Sequence, residues 1–180
     1  MLYQFHVEIT PEIYTNYNIY VATKSHYGKR QTRRAHLLFT IATLVLILMR
    51  IPSEGLTLDM WIGCIPLIAV AAALILLWPF FVKAVTKRHI KDFQKRGQVG
   101  YDAHADMCFY NDHFEEITTE KRMLQSYTAL KWVEEIDGVG VCLFQDDLRG
   151  YILPTASFRS AEQAQEFLAF ARSKIPPQNT

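Results

Sequence analysis

The sequence predicts an α+β membrane protein: a two-helix transmembrane hairpin joined to a small antiparallel β-sheet domain that a C-terminal helix caps. Three observations carry this expectation. Two charge-free apolar runs lie ten residues apart, basic residues gather at their outer ends, and the chain after Arg96 alternates short apolar segments with turn residues. At 180 residues there is room for one modest domain and such an anchor.

The chain opens with YQFHVEIT, whose apolar and polar residues alternate as in a half-buried strand. Thr10-Pro11-Glu12 then has the form of a helix N-cap followed by proline at the first helical position. Ile13, Tyr17, Tyr20 and Val21 recur at helical spacing beyond it. One strand and one helix cannot close a core alone. The segment 1–34 is therefore expected to pack on the sheet built by the later chain, with the hairpin inserted between the two.

The hairpin is expected over 35–82. From Ala35 to Met49 there are 15 residues without Asp, Glu, Lys or Arg, and from Met60 to Val82 there are 23. A spanning helix needs about 20. The second run (60–82) meets this by itself; the first (35–51) meets it if Arg34 and Arg50 extend their charged heads outward. RIPSEGLTLD, with Pro52 and Gly55, is expected to turn between them. Trp61 and Trp78 stand 17 positions apart, roughly 25 Å along a helix, which suits the two interfacial aromatic belts. Pro66 falls inside the second helix, and Ala69 and Ala73 form a small-xxx-small face that admits close helix approach. No acidic or strongly basic residue lies within either run, so transport through the pair is not expected.

The formal net charge of +1 conceals a segregation. Lys24, Lys29, Arg30, Arg33 and Arg34 precede the hairpin without an acid among them. Lys83, Lys87, Arg88, Lys91, Lys95 and Arg96 follow it over 83–96, with Asp92 as the single acid. Beyond that stem, 13 acids face seven bases. Positive residues at both outer ends put both termini in the cytoplasm. The stem lysines recur every fourth residue along a helical stripe, so the six basic side chains of the stem are expected to contact anionic lipid. The acidic region after them makes nucleic acid an unexpected partner.

Over 97–175 the expectation is a series of short strands: His104 to Tyr110, Phe114 to Thr119, Met123 to Thr128, Val139 to Gln145 and Arg149 to Leu153. VEEIDG after Trp132 is expected to be a turn, as is Asp146-Asp147. Pro154 should end the last strand. Ser160-x-x-Gln163 is a capping box that opens a helix to about Lys174, with Ala164, Phe167, Leu168 and Ala171 on one face. Trp132, Leu143, Tyr151 and Leu153 are expected in the core. Gly138-Val-Gly140 lacks the third glycine and the strand-then-helix setting of a dinucleotide loop. Cys64, Cys108 and Cys142 show no CxxC or Cys/His spacing and are expected as small buried hydrophobes.

Asp102, His104 and Asp106 alternate, which in a strand places them on one face, and His113 follows nearby. They are the residues on which a metal-binding hydrolase or sensor would rest. No recognised ligand motif accompanies them, and neither a metal nor another cofactor is expected.

Two apolar helices, a basic stem, Trp132, an acidic-apolar turn, an apolar strand and then YILPTASF before a capped helix resemble the YcxB-like family of bacterial membrane proteins. Trp132, Tyr151, Ile152, Leu153, Pro154 and Phe158 hold the positions of that family's tryptophan and its aromatic-Ile-Leu-Pro-x-x-x-Phe segment. The resemblance implies a pleckstrin-homology-like (PH-like) domain, a bent antiparallel sheet with a C-terminal helix, at a bacterial inner membrane, and it implies no catalytic activity. Thr155 stands where many relatives have a basic residue, so no lipid contact is implied there.

The expected function is a non-enzymatic, membrane-tethered interaction domain. Its acidic charge disfavours anionic lipid as the domain's own ligand. The expected partners are membrane lipids through the hairpin and stem, and a protein or a second copy of the chain through the domain. The alternative within the same frame is an accessory subunit of a membrane transport or envelope-stress complex.

Overall fold

A computed structural model describes residues 1–50, 58–97 and 101–176, with Asp59 and Met60 described by backbone alone. The described residues contain four α-helices and seven strands. Strand β1 (Tyr3–Glu8) is followed by helices α1 (Pro11–Thr23), α2 (His26–Leu48) and α3 (Leu58–Lys95). Strands β2 (His104–Phe109), β3 (His113–Ile117), β4 (Arg122–Ser126), β5 (Trp132–Ile136), β6 (Gly140–Phe144) and β7 (Gly150–Pro154) come next, and α4 (Ala161–Lys174) closes the fold.

The strands form two antiparallel sheets, ordered β1-β2-β3-β4 and β5-β6-β7. The first residues of the chain do join a sheet formed by the later ones: β1 pairs with β2 from Tyr3↔Phe109 to Glu8↔His104. Alternation in β1 sends Phe5 and Val7 inward, each 2% exposed. They meet Phe109, Phe114, Leu143 and Leu153 in a core that α4 closes with Phe167, which lies 5.0 Å from Phe5 and 4.7 Å from Phe109 by ring centroid. Ala164, Phe167, Leu168 and Ala171 are all buried on one face of α4, as their spacing predicts. Ser160 Oγ accepts from Gln163 N, and Gln163 Oε1 in turn accepts from Arg159 N at 2.7 Å.

A second core lies on the opposite face of β5-β6-β7. Tyr17 and Val21 of α1 pack there against Ile136, Val139, Cys142, Phe144 and Ile152. Strand β6 is thus covered on both sides, which explains its unbroken apolar run GVCLF. Helix α1 also packs against α2 and α3 and so joins the sheet module to the helix pair. Thr10 Oγ1 caps its start by accepting from Ile13 N at 3.2 Å. Ser25 makes the corner into α2, its Oγ donating to Val21 O at 2.6 Å and accepting from Gly28 N at 3.1 Å.

Helices α2 and α3 run back along each other. Arg50 Nη1 donates to Gly63 O at one end, and Phe39 packs edge-on to Trp78 further along. Along the apolar part of α3 the residues turned inward are Cys64, Leu67, Ala71, Ile75, Trp78 and Val82. Their three- and four-residue steps are those of a helix-helix seam. Ala69 and Ala73, the expected small-residue face, are exposed and do not serve this contact. Among the described residues, one helix is long and apolar enough to cross a membrane, over Trp61–Lys95. It runs through Pro79 as well as Pro66 and continues unbroken into the basic stem.

Several expectations need correction. The helix that contains the first apolar run is longer than that run: α2 starts at His26 and carries Lys29, Arg30, Arg33 and Arg34 inside it, because Ser25 supplies the cap. Segment 1–34 is therefore split at Ser25. VEEIDG is not a turn; its first four residues belong to β5, paired with β6 from Trp132↔Phe144 to Ile136↔Gly140. Trp132 and Tyr151 are half-buried at the rims of the two cores, whereas Leu143 and Leu153 are fully buried. Tyr127 and Thr128, expected at the end of a strand, belong instead to a short 3-10 turn, Tyr127–Ala129. The turn expected over RIPSEGLTLD, with Pro52 and Gly55, lies largely outside the described residues.

Candidate interaction site at the junction of anchor and module

The alternation Trp132-x-Glu134-x-Ile136 turns these three side chains of β5 to the face that meets α1. The Tyr20 hydroxyl of α1 donates a short hydrogen bond to Glu134 Oε2. Burial, followed by this contact, holds the Tyr20 hydroxyl well above its ordinary pKa, so it remains a donor at neutral pH. Glu135 points to the other side of the strand and accepts from Gln165 Nε2 of α4 at 2.7 Å. The strand ends in Asp137-Gly138, where Gly138 takes φ +71° and its carbonyl accepts from Asn16 Nδ2 at 3.3 Å.

These groups form one wall of a groove of about 720 Å³ between α1, β5 and α3. Lys24 of α1 and Lys83 and Lys87 of α3 line the facing side, and Pro79 and Phe80 lie at its apolar end. Among the described residues, none of these three lysines has a nitrogen within 4.0 Å of a carboxylate oxygen. A second cavity of about 430 Å³ adjoins it through Tyr20, Lys24 and Glu134, and His26, Lys29 and Trp132 extend the lining. Trp132 stacks on Phe144 at 4.7 Å and meets the His26 ring edge-on at 5.9 Å. Arg88, Lys91 and Lys95 continue along the exposed surface of α3, and Arg96 follows just past its end.

A third cavity, about 370 Å³, opens between the two sheets beneath α1, where Tyr14, Tyr17, Tyr101 and Tyr151 surround Glu116. Burial raises the Glu116 carboxyl above its ordinary range, with Lys121 pulling it back. The Tyr151 hydroxyl is raised by burial and by Glu116.

Asp102, His104, Asp106 and His113, the residues on which a metal site would rest, do not form one cluster. Asp102 precedes β2 and pairs with Lys121 at 3.1 Å. Asp106 lies 2.9 Å from His6 Nδ1 across the strand pair, where the His104 ring stacks at 6.4 Å from that of His6. His113 is taken by Asp112 at 2.8 Å and approaches Glu115 at 3.9 Å. Glu115 is buried and bound through both oxygens by Arg122, at 2.9 and 2.7 Å. Among the described residues no group of three or more His, Cys, Asp or Glu is placed to hold a metal ion.

Cys64, Cys108 and Cys142 are free thiols and buried, as expected. Burial pushes the Cys108 and Cys142 thiols up, which keeps them protonated and unreactive. Asp146 is a turn residue as its neighbours suggested: its Oδ1 accepts from Leu148 N and Arg149 N, both at 2.8 Å. Tyr151, Ile152, Leu153, Pro154 and Phe158 run along β7 into the turn before α4, where Leu153 and Phe158 pack in the first core and Ile152 in the second.

The groove itself escaped the sequence. Its acidic wall lay hidden in VEEIDG, where two adjacent glutamates and Asp-Gly suggest a turn. The period-two placing of Trp132, Glu134 and Ile136 was the signal for a strand. Comparison of the chain with family models, with curated proteins and with solved structures finds no match in any of the three.

Proposed function

We propose that this chain is a non-enzymatic interaction module tethered to a bacterial inner membrane, with α2 and α3 crossing as a hairpin and both termini cytoplasmic. The observation that carries the reading is the surface of the helix pair. Leu38, Leu76, Leu77, Phe80 and Phe81 are each at least 59% exposed. An apolar face of that extent requires cover, and lipid supplies it along the apolar part of α3 that precedes the basic stem. The apolar stretch of α2 is shorter, and Arg34 and Arg50 at its ends complete the span by reaching toward the headgroups.

Two antiparallel sheets of four and three strands with a helix packed over the core support the PH-like, YcxB-like reading. The module carries a net acidic charge, so its partner is a protein or a second copy of the chain rather than anionic lipid. Docking on a larger membrane complex is a form of the same role. The test is in-cell crosslinking followed by purification from native membranes in mild detergent. A stoichiometric partner or a discrete oligomer is the expected outcome. Recovery of uncrosslinked single chains, or release of the protein from membranes by alkaline carbonate, overturns the reading.

A further inference from the structure

We propose that the groove between α1, α3 and β5 holds the headgroup of phosphatidylethanolamine, with the phosphate on Lys24, Lys83 and Lys87 and the ammonium on Glu134 and Asp137. The inference rests on the reading that α3 crosses the membrane, and it names the lipid at the point where α3 leaves it.

Both signs of charge line one groove of about 720 Å³. Lysines and carboxylates that share a groove normally close on one another. Here Lys24, Lys83 and Lys87 stay more than 4.0 Å from the carboxylate oxygens of the described residues, although Lys83 and Lys87 lie one helical turn apart on α3 and Lys24 faces them from α1. A purely anionic headgroup would satisfy the lysines and leave its phosphate before the carboxylates of Glu134 and Asp137. A simple cation would do the reverse. A ligand carrying a phosphate and a primary ammonium satisfies both walls. The ammonium brings three donors to acceptor-only carboxylates, whereas the trimethylated ammonium of phosphatidylcholine brings none.

The placement fits a lipid and not a free solute. Pro79 and Phe80 form the end of the groove on the apolar part of α3, Phe80 being 70% exposed, and the lysines begin one turn further along toward the module. An acyl chain, a phosphate and an amine therefore meet apolar, basic and acidic walls in the order in which a phospholipid presents them. Tyr20 fixes Glu134 through one oxygen and leaves the other to accept.

The test uses the full chain in nanodiscs of phosphatidylcholine doped with phosphatidylethanolamine or phosphatidylglycerol, with bound lipid counted by native mass spectrometry. Wild type is expected to retain phosphatidylethanolamine over both other lipids. Asp137→Asn keeps a residue suited to the turn before Gly138 and removes one carboxylate. It is expected to lower the preference for phosphatidylethanolamine over phosphatidylglycerol about tenfold, the size of one lost charge-assisted contact. Lys83→Gln with Lys87→Gln, both at exposed positions, should bring the two lipids to the level of phosphatidylcholine. Phosphatidylglycerol bound as tightly as phosphatidylethanolamine by wild type, or an unchanged preference in Asp137→Asn, overturns the assignment. The same membranes are washed in alkaline carbonate: protein that leaves them refutes the tether, while retained protein without the preference refutes only the headgroup.

Discussion

Gly138 and Gly140 lack the setting of a dinucleotide loop, and the backbone gives the real reason for both. Gly138 turns the chain at φ +71°, and Gly140 enters β6 at φ +127°. A Cβ on Gly140 would stand 2.1 Å from the Leu153 carbonyl oxygen and 2.7 Å from Thr155 N. Those atoms belong to the neighbouring strand and the turn that follows it, and they cannot yield without breaking the β6–β7 pairing. Gly140→Ala is therefore expected to lower stability by more than about 2 kcal/mol, read as a drop in the thermal melting of the detergent-purified chain. An unchanged melt would contradict this account. Other residues were legible as they stood. The Ser160 cap and the buried face of α4 follow from local chemistry and helical spacing alone. Trp132 and Tyr151 lie one step shallower than their sequence pattern suggests, because an aromatic ring at a core rim has the same sequence signature as one inside it.

Among the elements, the β6–β7 hairpin has the clearest electrostatic device. Asp146 accepts two backbone N–H groups, and its Oδ2 accepts from Arg149 Nε at 2.9 Å. The Leu148 N–H first, and then the Arg149 contacts, hold the carboxyl below its ordinary value of 3.8. A carboxyl whose folded pKa is depressed contributes stability above its unfolded pKa and loses it as pH falls through the folded one. Asp146→Asn should accordingly flatten the loss of melting temperature between about pH 5 and about pH 3 relative to wild type; equal slopes would remove Asp146 from the account. This turn was legible from Asp-Asp followed by arginine and glycine. Strand β5 was not, because Glu134 and Glu135 are polar for reasons that lie outside the strand: one serves Tyr20 of α1 and the other Gln165 of α4. The break between α1 and α2 was missed for a similar reason. Ser25 bonds backward to Val21 and forward to Gly28, a double use that a cap search at the edge of an apolar run does not find.

For the whole molecule, the decisive feature is that α1, α2 and α3 are inserted between β1 and β2, which are neighbours in one sheet. The module needs its first strand, since Phe5 and Val7 sit in the main core and β1 covers the edge of β2. A fragment of residues 97–180 is expected to aggregate or to show no cooperative melt, and co-expression with residues 1–23 should restore a soluble, cooperatively melting complex. A stable, monomeric 97–180 fragment would refute the shared core. The same insertion fixes where the groove lies, because α1 must pack at once on the sheet and on α3.

Sequence by itself determined the apolar helix, the basic stem, the alternation of the strands and the capped final helix, because each depends on spacing and on neighbours within a few residues. Tertiary structure alone decided the second core under α1, the strand in VEEIDG, the pairing of Asp102 with Lys121 while Asp106 and His104 meet His6, and the lysines that share a groove with carboxylates about 50 to about 110 positions away. Those features arise where segments far apart in the chain meet, and burial and charge there are set by the partner segment and not by the local pattern.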